Sequence, residues 1–84
     1  MATADDILPG LIQFLSVETG RNASAMKKTT KLSALGIDGF VLARIGQDIN
    51  KTGFLHGGQV TLQDLQPIDT VGALADLLAK RIRP

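Results

Sequence analysis

The chain has 84 residues, of which 44% are apolar and 20% are charged, and its net charge at neutral pH is +1. This length supports one small hydrophobic core, and the composition is that of a folded protein, so we expect a single domain over residues 1–84. The nearly balanced charge gives no electrostatic reason to expect a nucleic acid as partner.

The absence of cysteine excludes disulfide bonds, a thiolate nucleophile and a cysteine-ligated zinc site. No apolar run approaches the roughly 20 residues that a membrane-spanning helix needs. Asp5 and Asp6 precede only a short apolar stretch, which is not typical of an export signal. We therefore expect a cytoplasmic protein with no membrane partner.

Apolar side chains recur at helical spacing over residues 7–15 and predict the first helix. Asp6 is the predicted N-cap, which would place Pro9 in the first turn, where a missing amide proton costs little. Gly20 is the predicted stop. Residues 21–35 are mostly polar or small, and they predict a long loop held by Met26, Leu32 and Leu35.

Asp38 is the predicted N-cap of a second helix, whose apolar positions run from Val41 to Ile49. Thr61 and Asp64 form a capping-box pattern that predicts a short third helix, which Pro67 would end.

A fourth helix follows Thr70, since apolar residues recur at helical spacing from Val71 to Ile82 and Lys80, Arg81 and Arg83 lie near its end. The predicted fold class is therefore all-α, with three longer helices, one short helix and a long loop between the first and second helices.

Residues 32–40, which read LSALGIDGF, are similar to the signature of acyl and peptidyl carrier proteins. That signature runs leucine, glycine, an apolar residue, aspartate, serine and an apolar residue. Every position agrees except the serine, which is replaced by Gly39. Residues 60–65 and 69–78 resemble the third and fourth helices of the same family, at the family's separation. The resemblance implies a four-helix carrier-protein bundle.

In that family the serine receives a 4'-phosphopantetheine arm from coenzyme A, transferred by a phosphopantetheinyl transferase. The arm's thiol then carries acyl groups as thioesters between synthase and acyltransferase enzymes. The resemblance thus implies a monomeric, non-enzymatic carrier of polyketide, nonribosomal or fatty-acid-type biosynthesis. Gly39 offers no oxygen for the arm. Asp38 is the adjoining site residue, and the resemblance implies that it helps to present the arm to the loading enzyme.

Two interpretations of Gly39 stay open at this point. The chain is either a carrier whose attachment serine was deliberately replaced by glycine, or a natural carrier-like protein with a native glycine that binds a synthase or transferase without ever carrying a load. Modification of another serine, with Ser33 the nearest, is a third alternative.

The second helix lacks the strongly acidic surface that the resemblance implies for carriers of bacterial fatty-acid synthesis. It has two basic residues, Arg44 and Lys51, and one acidic residue, Asp48. The predicted partner-docking residues are instead a more apolar set, closer to carriers of polyketide or nonribosomal assembly lines, namely Phe40, Val41, Leu42, Arg44 and Ile45.

Other candidate sites find little support in the sequence. His56 is the single histidine and favours neither a metal site nor a hydrolase, so we interpret it as a loop residue. Lys27, Lys28 and Lys31 lack interleaved aromatic residues and are interpreted as a solvated loop. The Gly-Gly pair at 57–58 is too short to predict a phosphate-binding loop.

Overall fold

The computed structural model describes residues 2–83. Four α-helices and two short 3₁₀ helices account for the regular structure of that range, which confirms the all-α prediction. The α-helices are α1 (Ala4–Thr19), α2 (Gly39–Thr52), α3 (Leu62–Leu65) and α4 (Val71–Arg81), and the 3₁₀ helices span Ala23–Ala25 and Leu32–Leu35.

Helix α1 begins earlier than predicted. Thr3 is its N-cap, and its hydroxyl accepts a hydrogen bond from the Asp6 amide while the Asp6 carboxylate accepts one from the Thr3 amide. The prediction of Asp6 as N-cap is therefore wrong, because Asp6 is the third residue of the helix and completes a capping box. Pro9 consequently lies in the second turn, where its ring removes one helical hydrogen bond. Gly20 ends the helix at φ 70°, as predicted.

The other three helices begin where the sequence predicts. Each has a polar N-cap side chain that accepts a hydrogen bond from an amide of the first turn: Asp38 for α2, Thr61 for α3 and Thr70 for α4. Asp64 completes the capping box of α3. These interactions satisfy amides that have no intrahelical acceptor, and each cap stabilises its helix by about 1 kcal/mol.

The core lies between two helix pairs, in which α1 packs against α4 and α2 against α3. All its members are apolar, and no polar or charged side chain within residues 2–83 is buried. The largest fully buried side chains come from every long helix and from the loop after α2: Leu11, Leu15, Ile45, Ile49, Leu55, Leu74, Leu78 and Val71. Among the same residues, no helix is long and apolar enough to cross a bilayer.

The long loop between α1 and α2 is tied to the start of α4 by its backbone. Leu32 donates to the carbonyl of Asp69 at 2.8 Å, and Val71 donates to the carbonyl of Thr30 at 3.0 Å. Met26, Leu32 and Leu35 are buried, as predicted. The loop therefore has a fixed course, and its last turn leads directly into α2.

Candidate functional site

The amino-terminal end of α2 is the first candidate site. An Asp38 carboxylate oxygen accepts a hydrogen bond from the Val41 amide at 2.8 Å, and the Asp38 carbonyl accepts one from Leu42 at 2.8 Å. The amides of Gly39 and Phe40 donate to no acceptor within residues 2–83. The site therefore offers free amide donors at the positive end of the helix macrodipole.

Gly39 is the first residue of α2 and is exposed. A Cβ atom added there would meet nothing within 4 Å, and the φ angle lies outside the range that favours glycine. Neither packing nor backbone conformation therefore requires glycine at this position. A serine side chain fits there without displacing any neighbour.

A groove of about 410 Å³ lies beside Gly39, and we call it the α2 groove. Its wall is apolar, because Leu42, Leu65 and Ile68 face it from α2, α3 and the segment before α4. Lys31, Asp38 and Asp69 contribute charged groups to its lining. The remaining lining residues are Leu32, Ser33, Ile37 and Gln66. Ser33, the alternative modification site, thus shares the groove with Gly39.

The α2 groove keeps its shape because α3 packs closely on α2 at a glycine. A Cβ on Gly46 would lie 2.6 Å from a Leu65 methyl carbon and 3.7 Å from a Val60 methyl carbon. The Asn50 side chain bonds both the amide and the carbonyl of Val60, each at 2.9 Å. Sequence reasoning missed this contact, although an isolated glycine in a helix interior is the signal of such close packing.

The predicted docking residues of α2 do not all reach the surface. Phe40 is 83% exposed, Arg44 is exposed and Val41 is half-buried. Leu42 and Ile45 are only 7% and 0% exposed, because they lie on the helix face that packs into the core. The exposed part of the predicted docking face is therefore Phe40, Val41 and Arg44, while Leu42 reaches solvent only where it lines the α2 groove.

Two carboxylates from different helices lie close together, Glu18 near the end of α1 and Asp48 in α2. The pKa of Glu18 is raised by partial burial, by a hydrogen bond with Asp48 and by repulsion from the charge of Asp48, while Arg44 opposes the shift. Arg44 therefore lies close enough to offset part of this negative charge. The local electrostatic balance of α2 is nearly neutral rather than acidic.

The other candidate residues from the sequence are dispersed. His56 is exposed at φ 51°, a left-handed conformation that is uncommon outside glycine, in the loop after α2. Lys28 pairs with Asp5, and this hydrogen bond raises the pKa of Lys28. In the part of the chain that the structure describes, no three His, Asp or Glu side chains form a metal-ligand cluster.

The fold and the site together define a small all-α domain with an exposed helix amino terminus beside an apolar groove. No protein-family model, curated protein or solved structure matches this chain. The resemblance to carrier proteins therefore depends on the motif residues themselves and on where they lie in the fold.

Proposed function

We propose that this chain is a carrier-type domain of the acyl carrier class, with position 39 as the attachment position for 4'-phosphopantetheine. A hydroxyl at this position would receive the arm, and the domain would then present acyl thioesters to synthase and acyltransferase enzymes. With Gly39 the chain stays unloaded, because it has no oxygen to form the phosphodiester.

The observation that carries the proposal is the setting of Gly39. Gly39 begins α2 immediately after the Asp38 cap and lines the α2 groove. A Cβ added at this position would extend into open space. Free amides at a helix amino terminus favour a phosphodiester there electrostatically. The apolar wall formed by Leu42, Leu65 and Ile68 offers shelter to the apolar part of a cargo.

The test is a loading reaction with coenzyme A and a broad-specificity phosphopantetheinyl transferase, followed by intact-mass spectrometry. We expect the unaltered chain to keep its mass and the Gly39→Ser variant to gain one phosphopantetheine. Gly39→Ala is the matched control, since it adds the same Cβ without the hydroxyl and should stay unloaded. A gain of mass by the unaltered chain, at Ser33 or elsewhere, would refute the assignment of position 39.

In a second candidate function, the chain is a natural interaction module. It binds enzymes that recognise carrier proteins but never carries an acyl group itself. The observation that favours it is Phe40, whose side chain is 83% exposed directly beside position 39. Burying such a side chain in a complex contributes about 1.5–3 kcal/mol. A large exposed aromatic residue next to the attachment position favours contact with a partner protein.

Competition tests the docking that this second function requires. An interaction module should inhibit the transferase-catalysed loading of the Gly39→Ser variant when the unaltered chain is added in excess. The Phe40→Ala form of the unaltered chain should inhibit less, and Val17→Ala serves as control because Val17 is equally exposed on α1. Absence of inhibition would argue against the interaction module while leaving the attachment position untouched.

A further inference from the structure

A second groove lies at the carboxyl end of α4, and we call it the C-terminal groove. Its volume is about 650 Å³, and its lining residues are Gly57, Gly58, Gln59, Lys80, Arg81, Ile82 and Arg83. It adjoins the loop that follows α2, whereas Gly39 begins α2. The 14 residues of α2 separate the two sites by about 20 Å of helix.

Two hydrogen bonds fix the walls of the C-terminal groove. After α4 ends, the Arg83 amide donates to the carbonyl of Leu55 at 3.0 Å, and the Gly58 amide donates to the same carbonyl at 2.9 Å. The end of α4 is thus fastened to the 55–58 loop. These hydrogen bonds hold both walls of the groove in fixed positions.

The floor of the groove is backbone. A Cβ on Gly58 would lie 1.8 Å from the carbonyl oxygen of Arg81, so no other residue fits without moving α4. Gly57 has φ 95°, and a Cβ there would lie 3.7 Å from Cδ of Arg83. Within residues 2–83, the amides of Gly57 and Gln59 donate to no acceptor. The loop side of the groove therefore carries two free amide donors and little bulk.

The charge of the groove is positive. Arg81 donates to the Asp64 carboxylate at 2.9 Å, and this hydrogen bond, together with those from Thr61, lowers the pKa of Asp64 to about 2. Lys80 and Arg83 have no carboxylate within ion-pair distance among residues 2–83. The carboxyl end of α4 contributes only about half an elementary negative charge, which these two cations outweigh.

These groups define the chemistry of a ligand. Lysine, arginine and backbone amides are donors only, so their partner must be an acceptor, and arginine in particular matches the oxygens of phosphate. No aromatic residue lines the groove, so it offers neither a stacking surface for a base nor an anchor pocket for a protein partner. The volume exceeds the needs of one small ion.

We propose that the C-terminal groove binds a diphosphate group through Lys80, Arg83 and the free amides of Gly57 and Gln59. The diphosphate comes either as free pyrophosphate or as part of a nucleotide, and the groove contacts only the phosphates. This site is independent of the carrier function proposed for position 39.

The test is a titration of the ¹⁵N-labelled full chain with pyrophosphate at physiological ionic strength. Binding is measured by the changes in amide chemical shifts. We expect saturable shifts centred on Gly57, Gly58 and Gln59. The double variant Lys80→Gln, Arg83→Gln should bind about ten-fold more weakly or not at all, since it removes both of these charges. Its thermal unfolding should match that of the unaltered chain, because both side chains are exposed.

The matched control is Arg21→Gln, Lys27→Gln, which removes two exposed charges from the loop between α1 and α2, at residues that line neither groove. We expect this control to bind pyrophosphate as the unaltered chain does, and ADP to bind no more tightly than pyrophosphate. Shifts that do not saturate, or equal weakening in both double variants, would overturn the proposal. So would ADP binding about ten-fold tighter than pyrophosphate, because that requires contacts to adenosine.

Discussion

Substitution of Gly58 by alanine tests how tightly the end of α4 is fastened to the loop after α2. The new Cβ would lie 1.8 Å from the Arg81 carbonyl oxygen, whereas such carbon and oxygen atoms normally stay about 3.3–3.6 Å apart. The obstacle is backbone, so it cannot rotate away as a side chain would. The last turn of α4 or the loop must therefore move by about 1.5 Å.

This movement endangers the hydrogen bonds that Gly58 and Arg83 donate to the Leu55 carbonyl. Each such bond contributes about 0.5–1.5 kcal/mol, and overpacking adds about 1–3 kcal/mol. Alanine recovers about 0.4–1 kcal/mol by restricting the unfolded chain. We expect Gly58→Ala to lower the free energy of unfolding by about 2–4 kcal/mol.

The assay is urea unfolding followed by far-ultraviolet circular dichroism, since the chain has no Trp or Tyr for fluorescence. Gly39→Ala is the control, because its Cβ meets nothing within 4 Å and its stability should change by about 0.5 kcal/mol or less. Equal stability of the two alanine variants would refute the close contact between Gly58 and Arg81.

Three further predictions concern the core and the carboxylates. Leu11→Ala should lower the free energy of unfolding by about 2–5 kcal/mol, and Val17→Ala, at an exposed position, by about 0.5 kcal/mol or less in the same urea assay. Arg81→Gln should raise the pKa of Asp64 from about 2 toward its ordinary value in an NMR titration, and an unchanged pKa would contradict the ion pair. The pKa of Glu18 is raised in the folded state, so its charged form destabilises the fold at neutral pH. Glu18→Gln should therefore raise the free energy of unfolding at neutral pH, and this gain should disappear in acid. Denaturant unfolding at several pH values measures both effects.

The sequence predicts the helix starts at Asp38, Thr61 and Thr70 because a cap is a local interaction within one turn. The predicted start of α1 is wrong, and the reason is again local. Thr3 and Asp6 already form a capping-box pattern, but Pro9 favours a later start that would keep proline in the first turn. Tertiary packing of α1 on α4 outweighs the hydrogen bond that Pro9 removes.

The site is predicted only in part. Asp38 and Gly39 follow from the motif, but the groove beside them depends on the approach of α3 to Gly46, which is a long-range contact. The docking prediction includes Leu42 and Ile45 although they belong to the apolar stripe of α2, which a helix turns toward the core. The α2 periodicity alone predicts that both side chains are buried.

The C-terminal groove is not predictable from the Gly-Gly pair, since its cations come from the far end of the chain. Lys80 and Arg83 line one groove with residues 57–59, and the Leu55 carbonyl accepts hydrogen bonds from both the loop and the end of the chain's last helix. Such convergence of a loop and a helix end leaves no local pattern in the sequence.

The central claim is that position 39 is the attachment position of a carrier-type domain. The most direct measurement is peptide mass mapping of the Gly39→Ser variant after incubation with coenzyme A and a phosphopantetheinyl transferase. We predict one phosphopantetheine on the serine introduced at position 39, retained when Ser33 is also changed to alanine. A variant that folds like the unaltered chain and takes up no phosphopantetheine, or takes it up at Ser33, would contradict the claim.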